Sequence, residues 1–379
     1  MNLKESSELW DAVVVGAGPA GCAAAFDLAQ AGLAVLLLDK SDFPRHKACA
    51  GGLTVKAVKA LRYPIDPVVR EVIRKIRLQD GDRSTSLKSR EAICVMTVRT
   101  ELDQYCLNQT VTAGAHFRRI ASVRQIVTSA SMLHLHTNEE IFRTRFLVGA
   151  DGASGQVRRL CGRGSWFSQG FALEVQAWAP EPGMEPGIDL TFDFAAVADG
   201  YGWIFPKKDH LNIGVYVGSS SSGLTKSALL RYVTETAGAK KLDPITGQYL
   251  GMGAGSDENE FVQPELRDRV LLVGDAGGFV DPLTGEGIYG ALHSGQGAAH
   301  AILRAIRQGE SAPEAFARSV AAYRKTLRFS IRAAAAFYAN RGRGFKAMRL
   351  PFVRRTMVKT YTHGLNVDSL AMRIALSQC

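Results

Sequence analysis

Three glycines near the start of the chain have the spacing G-x-G-x-x-G, at Gly16, Gly18 and Gly21. In this pattern the first glycine makes a tight turn, the second lets the backbone approach a pyrophosphate, and the third lets a helix pack closely on a strand. Asp39 follows eighteen residues after Gly21, a spacing that suits a carboxylate accepting the ribose hydroxyls of an adenosine. These residues predict a dinucleotide site.

A second candidate segment covers residues 270–292 and contains Asp275, Gly285, Gly287 and Ile288. An acid at the end of a buried strand can accept a hydroxyl group from a polyol chain. A helix N-terminus carries roughly half a positive charge, which suits the N1–C2=O edge of a reduced, anionic flavin. The first segment would hold the adenosine and the second the ribityl chain and the ring, so the two together predict FAD.

Tyr201 and Trp203 lie two positions apart on a predicted strand and therefore face the same side. We expect them to line an apolar pocket over the flavin ring, although packing within a sheet core explains the same pattern. Cys49 lies in a loop that would bring its thiol to the ring. It is a candidate proton donor, and the alternative is an inert buried cysteine.

Several other patterns in the sequence do not predict a functional site. His134 and His136 face one side of a strand, but no third ligand accompanies them, so no metal site is predicted. The six cysteines form no C-x-x-C pair, which favours reduced thiols in the cytoplasm. Ser154 does not fit a nucleophile elbow. No apolar strand is predicted before the glycines of residues 251–255, which we expect to form a loop.

The elements that position these residues predict an α/β fold with an α+β insertion. Apolar strands at residues 12–15 and 35–38 flank an Ala-rich helix, and a further strand and a long helix follow residue 270. We expect a Rossmann-type FAD-binding domain at residues 1–75, 95–165 and 262–310. An antiparallel, β-rich substrate domain at residues 76–94 and 166–261 interrupts it, and a basic helical region occupies residues 311–379.

The charge of the chain is concentrated in that last region. Residues 301–379 hold fifteen Lys or Arg and three acids, a surplus larger than the +10 of the whole chain. An apolar stripe (Tyr323, Leu327, Ile331, Ala334, Tyr338) runs beside Arg324, Arg328 and Arg332. Residues 318–359 could therefore contact an anionic membrane surface, or the stripe could pack on its own domain as a cap. No nucleic-acid motif, signal peptide or spanning segment is evident, which favours a cytoplasmic protein.

Five segments together resemble the geranylgeranyl reductase family of the para-hydroxybenzoate hydroxylase superfamily. They are GAGPAG, PRHKACAGGL, VGADGA, YGWIFP and GDAGGFVDPLTGEG. Ala198 replaces the leading proline of the family's aromatic motif. The resemblance relates Asp151 to FAD and nicotinamide recognition; a turn residue is the alternative. It also implies FAD contacts at Gly16, Gly18, Pro19, Ala20, Gly21, Asp39, Lys40, Cys49, Ala50, Arg99, Asp275, Gly285, Gly287 and Ile288.

Three functions fit this resemblance. The first is hydride transfer from reduced flavin to C=C bonds of a prenyl chain carried by an apolar or lipid-borne substrate. The second is hydroxylation or halogenation through a flavin peroxide. The third is a flavoprotein that modifies or docks on a protein partner. NAD(P)H and ferredoxin are both candidate electron donors.

Overall fold

The computed structural model describes residues 4–129, 132–162, 167–178, 188–219, 223–237, 241–253 and 262–363. Its strands are β1 (Lys4–Val15), β2 (Val35–Asp39), β3 (Gly52–Thr54), β4 (Glu71–Ile73), β5 (Lys75–Asp80), β6 (Arg83–Lys88), β7 (Cys94–Met96), β8 (His116–Arg119), β9 (Val123–Ser129), β10 (Met132–Thr137), β11 (Glu140–Gly149), β12 (Phe167–Trp178), β13 (Leu190–Asp193), β14 (Gly200–Lys207), β15 (His210–Val217), β16 (Thr246–Gly253) and β17 (Val270–Leu272). Its α-helices are α1 (Pro19–Gln30), α2 (Val55–Ala60), α3 (Arg99–Thr112), α4 (Gln156–Cys161), α5 (Lys226–Ala237), α6 (Ile288–Gln308), α7 (Ala312–Ala339), α8 (Arg341–Met348) and α9 (Pro351–His363).

The first sheet has a parallel core in which β8, β2, β1, β11 and β17 are successive neighbours, with β10 and β9 added antiparallel. Every residue of β2 is buried, as expected of a parallel strand between two helical layers. The carboxyl ends of β1, β2, β11 and β17 lie at one edge of this sheet. The residues at or just beyond these ends are Gly16, Asp39, Ala150 and Gly274. Open sheets of this kind bind ligands at that edge.

The second sheet has the order β16, β12, β15, β14, β13, β5, β6. Its neighbours are antiparallel, as the sequence predicts, except that β5 and β13 are parallel. Two parallel strands require a long connection between them. Between β5 and β13 the chain forms strands β8 to β11 of the first sheet and then returns to the second sheet at β12. Helix α5, which the sequence pattern did not predict, packs on one face through Leu229 and Val233. The α/β class with a β-rich insertion is confirmed.

Two predictions about local structure are wrong. Strand β1 begins at Lys4 and not at Ala12, because its polar half pairs through the backbone with β11 at Glu140. The glycines predicted to form a loop at residues 251–255 instead complete strand β16 as far as Gly253. Their lack of side chains permits a close approach, in which the Gly253 N–H donates to the Gly278 carbonyl at 2.8 Å. Residues 254 and 255 lie outside the described ranges.

The C-terminal helices pack on the rest of the molecule. Tyr323 and Leu327 of α7 are 1% and 2% exposed and belong to the same core as α1 and α6. Arg324, expected on the basic surface, is instead buried, with its guanidinium carbon 5.7 Å from the centre of the Phe279 ring. This part of the stripe is therefore a structural cap. Of the helices that the structure describes, none is long and apolar enough to span a membrane.

Candidate active site

A cavity of about 930 Å³ lies between the carboxyl edge of the first sheet, the second sheet and α9. That volume falls in the range of roughly 300–1,000 Å³ common for ligand pockets. The predicted site residues that line it are Gly16, Gly18, Pro19, Ala20, Asp39, Lys40, Cys49, Ala50, Arg99, Tyr201, Trp203, Asp275, Gly285, Gly287 and Ile288. Gly21 does not line the cavity but packs beneath Gly16, whose carbonyl oxygen would lie 1.7 Å from an added Cβ.

The glycine loop leaves room for a ligand at Gly18. A Cβ there would have Arg45 Nη2 as its nearest neighbour at 3.6 Å, whereas one on Gly16 would lie 2.3 Å from the Ala150 carbonyl oxygen. Helix α1 begins at Pro19 without a side-chain cap, so its partial positive charge faces the opening. This cradle fits the pyrophosphate of FAD.

Asp39 has a role that the spacing alone does not show. Its carboxylate accepts the N–H of Ala17 at 2.7 Å and that of Ser41 at 2.9 Å. These bonds fix the glycine loop against the end of β2. A carboxylate oxygen can accept more than one hydrogen bond, so the same group can both shape the loop and meet a ribose hydroxyl.

A charged cluster lies beside the glycine loop. Asp103 accepts two hydrogen bonds of 2.8 Å from Arg99 and lies 3.0 Å from Arg45 Nη2. One buried carboxylate therefore faces two guanidinium groups, which leaves a surplus of positive charge where a diphosphate would lie. The sequence predicted Arg99 but missed Arg45 and Asp103, whose contacts arise only from tertiary packing.

Asp275 follows β17 in a short 3₁₀ helix, where its Oδ2 accepts the Gly251 N–H at 3.3 Å. Burial raises the pKa of Asp275, and the charge of Lys47 opposes that shift. Glu286, which the sequence did not single out, accepts the Tyr289 N–H at 2.6 Å in the first turn of α6. That N–H is therefore not available to a ligand, and Lys56 lies 3.6 Å from the other carboxylate oxygen.

The second sheet contributes an aromatic wall on which Tyr201, Trp203 and Phe205 face the cavity. The Tyr201 hydroxyl donates to the Thr284 carbonyl at 2.5 Å, and the Tyr216 hydroxyl donates to the Pro282 carbonyl at 3.1 Å. The second sheet thus holds the loop that precedes α6. Other apolar residues continue this wall: Ile76, Ile93, Met96, Leu190 and Phe192.

The indole of Trp203 is held from behind by β15. Its Nε1 donates to Asn212 Oδ1 at 2.7 Å. An added Cβ at Gly214 would lie 2.1 Å from its ring, so only glycine lets the ring cross that strand. The indole N–H is therefore already hydrogen-bonded within the sheet, and Trp203 offers the hydrocarbon surface of its ring to the pocket.

The loop that carries Cys49 is fixed by a buried lysine that the sequence analysis missed. Lys207 Nζ donates to the carbonyls of Ala50 at 2.5 Å and Thr97 at 2.9 Å. Gly51 has φ +66°, and a Cβ there would lie 2.2 Å from the Thr97 carbonyl oxygen. The thiol of Cys49 therefore projects from a constrained loop.

Among the remaining residues that the sequence analysis considered, Asp151 has a local structural role. Asp151 accepts the N–H groups of Gln156 at 2.5 Å and Val157 at 2.9 Å and so caps α4. Its other oxygen, Oδ1, has no hydrogen-bond partner among the described residues. His134 and His136 lie on β10 opposite β11. No group of three His, Cys, Asp or Glu residues suited to a metal ion occurs within the described ranges.

Comparison with known proteins agrees with this architecture. Residues 10–170 match the FAD binding domain family. A Methanosarcina barkeri protein is 33% identical over 308 residues, which cover 80% of this chain and 77% of the relative. The menaquinone reductase of Mycobacterium tuberculosis is 31% identical over 77% of this chain and 76% of its own. The geranylgeranyl diphosphate reductase of Rhodobacter capsulatus is 29% identical over 82% and 79%.

Solved structures show the same fold. A geranylgeranyl bacteriochlorophyll reductase-like protein from Thermoplasma acidophilum superposes with a TM-score of 0.74 at 21% identity, covering 98% of this chain and 96% of its own. A flavin-dependent brominase gives 0.73 at 18% identity, with 98% of both chains covered. With the sequence relatives and the matched FAD domain, the chain belongs to the geranylgeranyl reductase family of FAD-dependent oxidoreductases.

Proposed function

We propose that this protein uses FAD to reduce C=C bonds in an isoprenoid chain. The observation that carries the proposal is one continuous cavity with two chemically different ends. The glycine loop and the arginines beside Asp103 suit a diphosphate, whereas the wall around Trp203 and Leu190 offers hydrocarbon to an extended apolar chain. The geranylgeranyl reductases among the relatives support an isoprenoid substrate.

Bound FAD, once reduced by NAD(P)H or ferredoxin, would supply the hydride. The protein must orient the double bond, exclude water and deliver one proton to the second carbon. Burial raises the pKa of Tyr201 well above its usual value, and its O–H is already donated to Thr284. Cys49, which lines the cavity from a constrained loop, is therefore our candidate proton donor.

We also propose that the turn between α8 and α9 lies against an anionic membrane when the enzyme meets a lipid-borne substrate. Leu350 and Phe352 are exposed there, at 43% and 47%. Lys346, Arg349 and Arg355 surround them in sequence and are also exposed. Apolar side chains flanked by basic ones are typical of interfacial segments.

The proposed reaction can be tested with the holoenzyme under anaerobic conditions. Protein whose FAD has been reduced by dithionite is incubated with geranylgeranyl lipids, and products are analysed by mass spectrometry. We expect a gain of two hydrogen atoms per reduced double bond, lost in Trp203→Ala, whose FAD content provides the control. The absence of any gain across free, diphosphate and lipid-linked geranylgeranyl substrates would contradict the proposal. An oxygen-adduct absorbance on aeration would favour the hydroxylase alternative.

A further inference from the structure

A second, much smaller cavity of about 30 Å³ lies behind Cys49. Its lining is mostly polar and includes Thr97, Glu174, Lys207, His210 and Asn212. A space of this size holds a single water molecule when polar partners surround it. Cys49 and Glu174 line both this cavity and the large one, so they form part of the wall between them.

Glu174 is the acidic residue that lines both cavities; the basic residues His46, Lys47 and Arg99 also line both. It is 4% exposed and lies on β12 between Leu173 and Val175, which pack into an apolar core. Burial raises its pKa, while the backbone N–H of Cys49, the Asn212 side chain, His46 and Lys207 oppose the shift. The carboxyl group therefore lies near the Cys49 backbone, and both residues line the same two cavities.

The small cavity also has a connection toward solvent. His210 lines it and is 4% exposed, and its Nδ1 lies 2.8 Å from Asp209 Oδ1. The Asp209 side chain is 55% exposed. Exposed Asp209 thus contacts His210, and His210 lines the same small cavity as Glu174 and Cys49. These ionisable groups connect the solvent to the cavity.

We propose that Glu174 and the cavity behind Cys49 form a proton relay that restores the Cys49 thiol after each reduction. This inference rests on the proposed function. In each turnover the alkene gains a hydride, with its two electrons, from reduced FAD and a proton from the thiol, whose S–H bond breaks. The thiolate then takes the proton of the Glu174 carboxyl group. Glu174 is reprotonated by water in the small cavity, and solvent replaces that proton through His210.

The first test compares single and repeated turnover in Glu174→Gln. Glutamine retains an oxygen that can accept the Cys49 N–H but cannot pass a proton on. We expect the first turnover of prereduced enzyme to stay within about twofold of wild type, because the thiol already carries its proton. Steady-state turnover should fall about 10²-fold, a typical contribution of acid–base catalysis. Glu235→Gln makes the same exchange at an exposed residue of α5 that lines neither cavity, and should leave both rates near wild type.

The second test needs no substrate. Alkylation of Cys49 by iodoacetamide is followed across pH and located by peptide mass. Lys47 and Lys207 also line this cavity, and burial lowers the pKa of each to about 8. Because the charge on Glu174 adds to theirs, we expect the rate profile of wild type and of Glu235→Gln to have one step more than that of Glu174→Gln. Glu174→Gln should lose that step and retain its FAD content and Tm. Equal numbers of steps in Glu174→Gln and in wild type would overturn the relay. An inactive wild type with the expected profiles would instead contradict the proposed reaction alone.

Discussion

Gly18 is the residue at which the cofactor proposal can be tested with the least damage to the fold. Its backbone is extended, and an added Cβ would have only Arg45 Nη2 within 4 Å, at the ordinary contact distance of 3.6 Å. We expect Gly18→Val to fold with a Tm near that of the wild-type apoprotein but to purify without flavin absorbance, because the valine fills the pyrophosphate position. Gly342→Val, whose Cβ would be 3.9 Å from Arg83, is the matched control and should stay yellow. A yellow Gly18→Val protein would contradict the assignment.

Asp275 offers a second test at this scale. If its carboxylate accepts a ribityl hydroxyl, Asp275→Asn loses a charge-assisted bond that contributes about 1.5–3 kcal/mol. The Kd for FAD should then rise about 10- to 150-fold, as measured by quenching of flavin fluorescence. Asp268→Asn changes an exposed acid and should have no effect. An unchanged Kd in Asp275→Asn would show that this acid does not bind the cofactor.

Local spacing could predict the glycines but not the residues that complete the site. Gly16 and Gly21 serve a turn that is complete within a few residues, so their spacing carries the information. Lys207 bonds to Ala50 across 157 positions, and Arg45 reaches Asp103 only after α3 packs beside the glycine loop. No pattern in the neighbouring sequence distinguishes these residues from surface charges.

At the scale of elements, α7 can be tested as a packed cap. Leu327 is 2% exposed, so Leu327→Ala should lower the free energy of unfolding by about 2–5 kcal/mol, the range for core truncations. Lys325→Ala, two positions away and exposed, should change it by no more than about 0.5 kcal/mol. Urea denaturation measures both. Equal, small effects would indicate that α7 does not contribute to the core.

Strand β14 ends at Lys207, whose burial lowers its pKa to about 8. An unfolded lysine titrates near 10.4, so between these values the unfolded chain holds the extra proton. Stability should therefore rise with pH from about 8 to about 10.4, by roughly 3 kcal/mol from this residue.

The check is the difference between wild type and Lys207→Met in urea denaturation at several pH values, since other groups cancel in that difference. The free energy of unfolding of the wild type should increase relative to that of the variant as the pH rises. A constant difference would mean that the ammonium is not desolvated.

The sequence predicts which segments are strands better than it predicts which strands pair with each other. Alternating apolar residues indicate strands in residues 171–217, and the structure contains them as β12 to β15. The same alternation does not specify that β5 pairs in parallel with β13, because register between distant strands depends on the packing of both faces.

For the whole molecule, the turn between α8 and α9 predicts reversible membrane binding. Vesicle binding should increase with the fraction of anionic lipid and decrease with salt. Changing Lys346, Arg349 and Arg355 to Gln should weaken it by about 1 kcal/mol per residue. The same exchange at Lys208, Lys226 and Arg231, also exposed, is the control. If the wild-type protein does not bind anionic vesicles at low salt, the proposed membrane contact is contradicted. The reductase proposal would not be affected.

The walls of the large cavity come from widely separated parts of the chain, from Val15 beside the glycine loop to Tyr361 on α9. During synthesis the glycine loop leaves the ribosome hundreds of residues before α9 does. Until α9 packs in place, the pocket lacks one side and its apolar wall is open to water. The cavity therefore gains its full lining only late in synthesis, when α9 has packed against the second sheet.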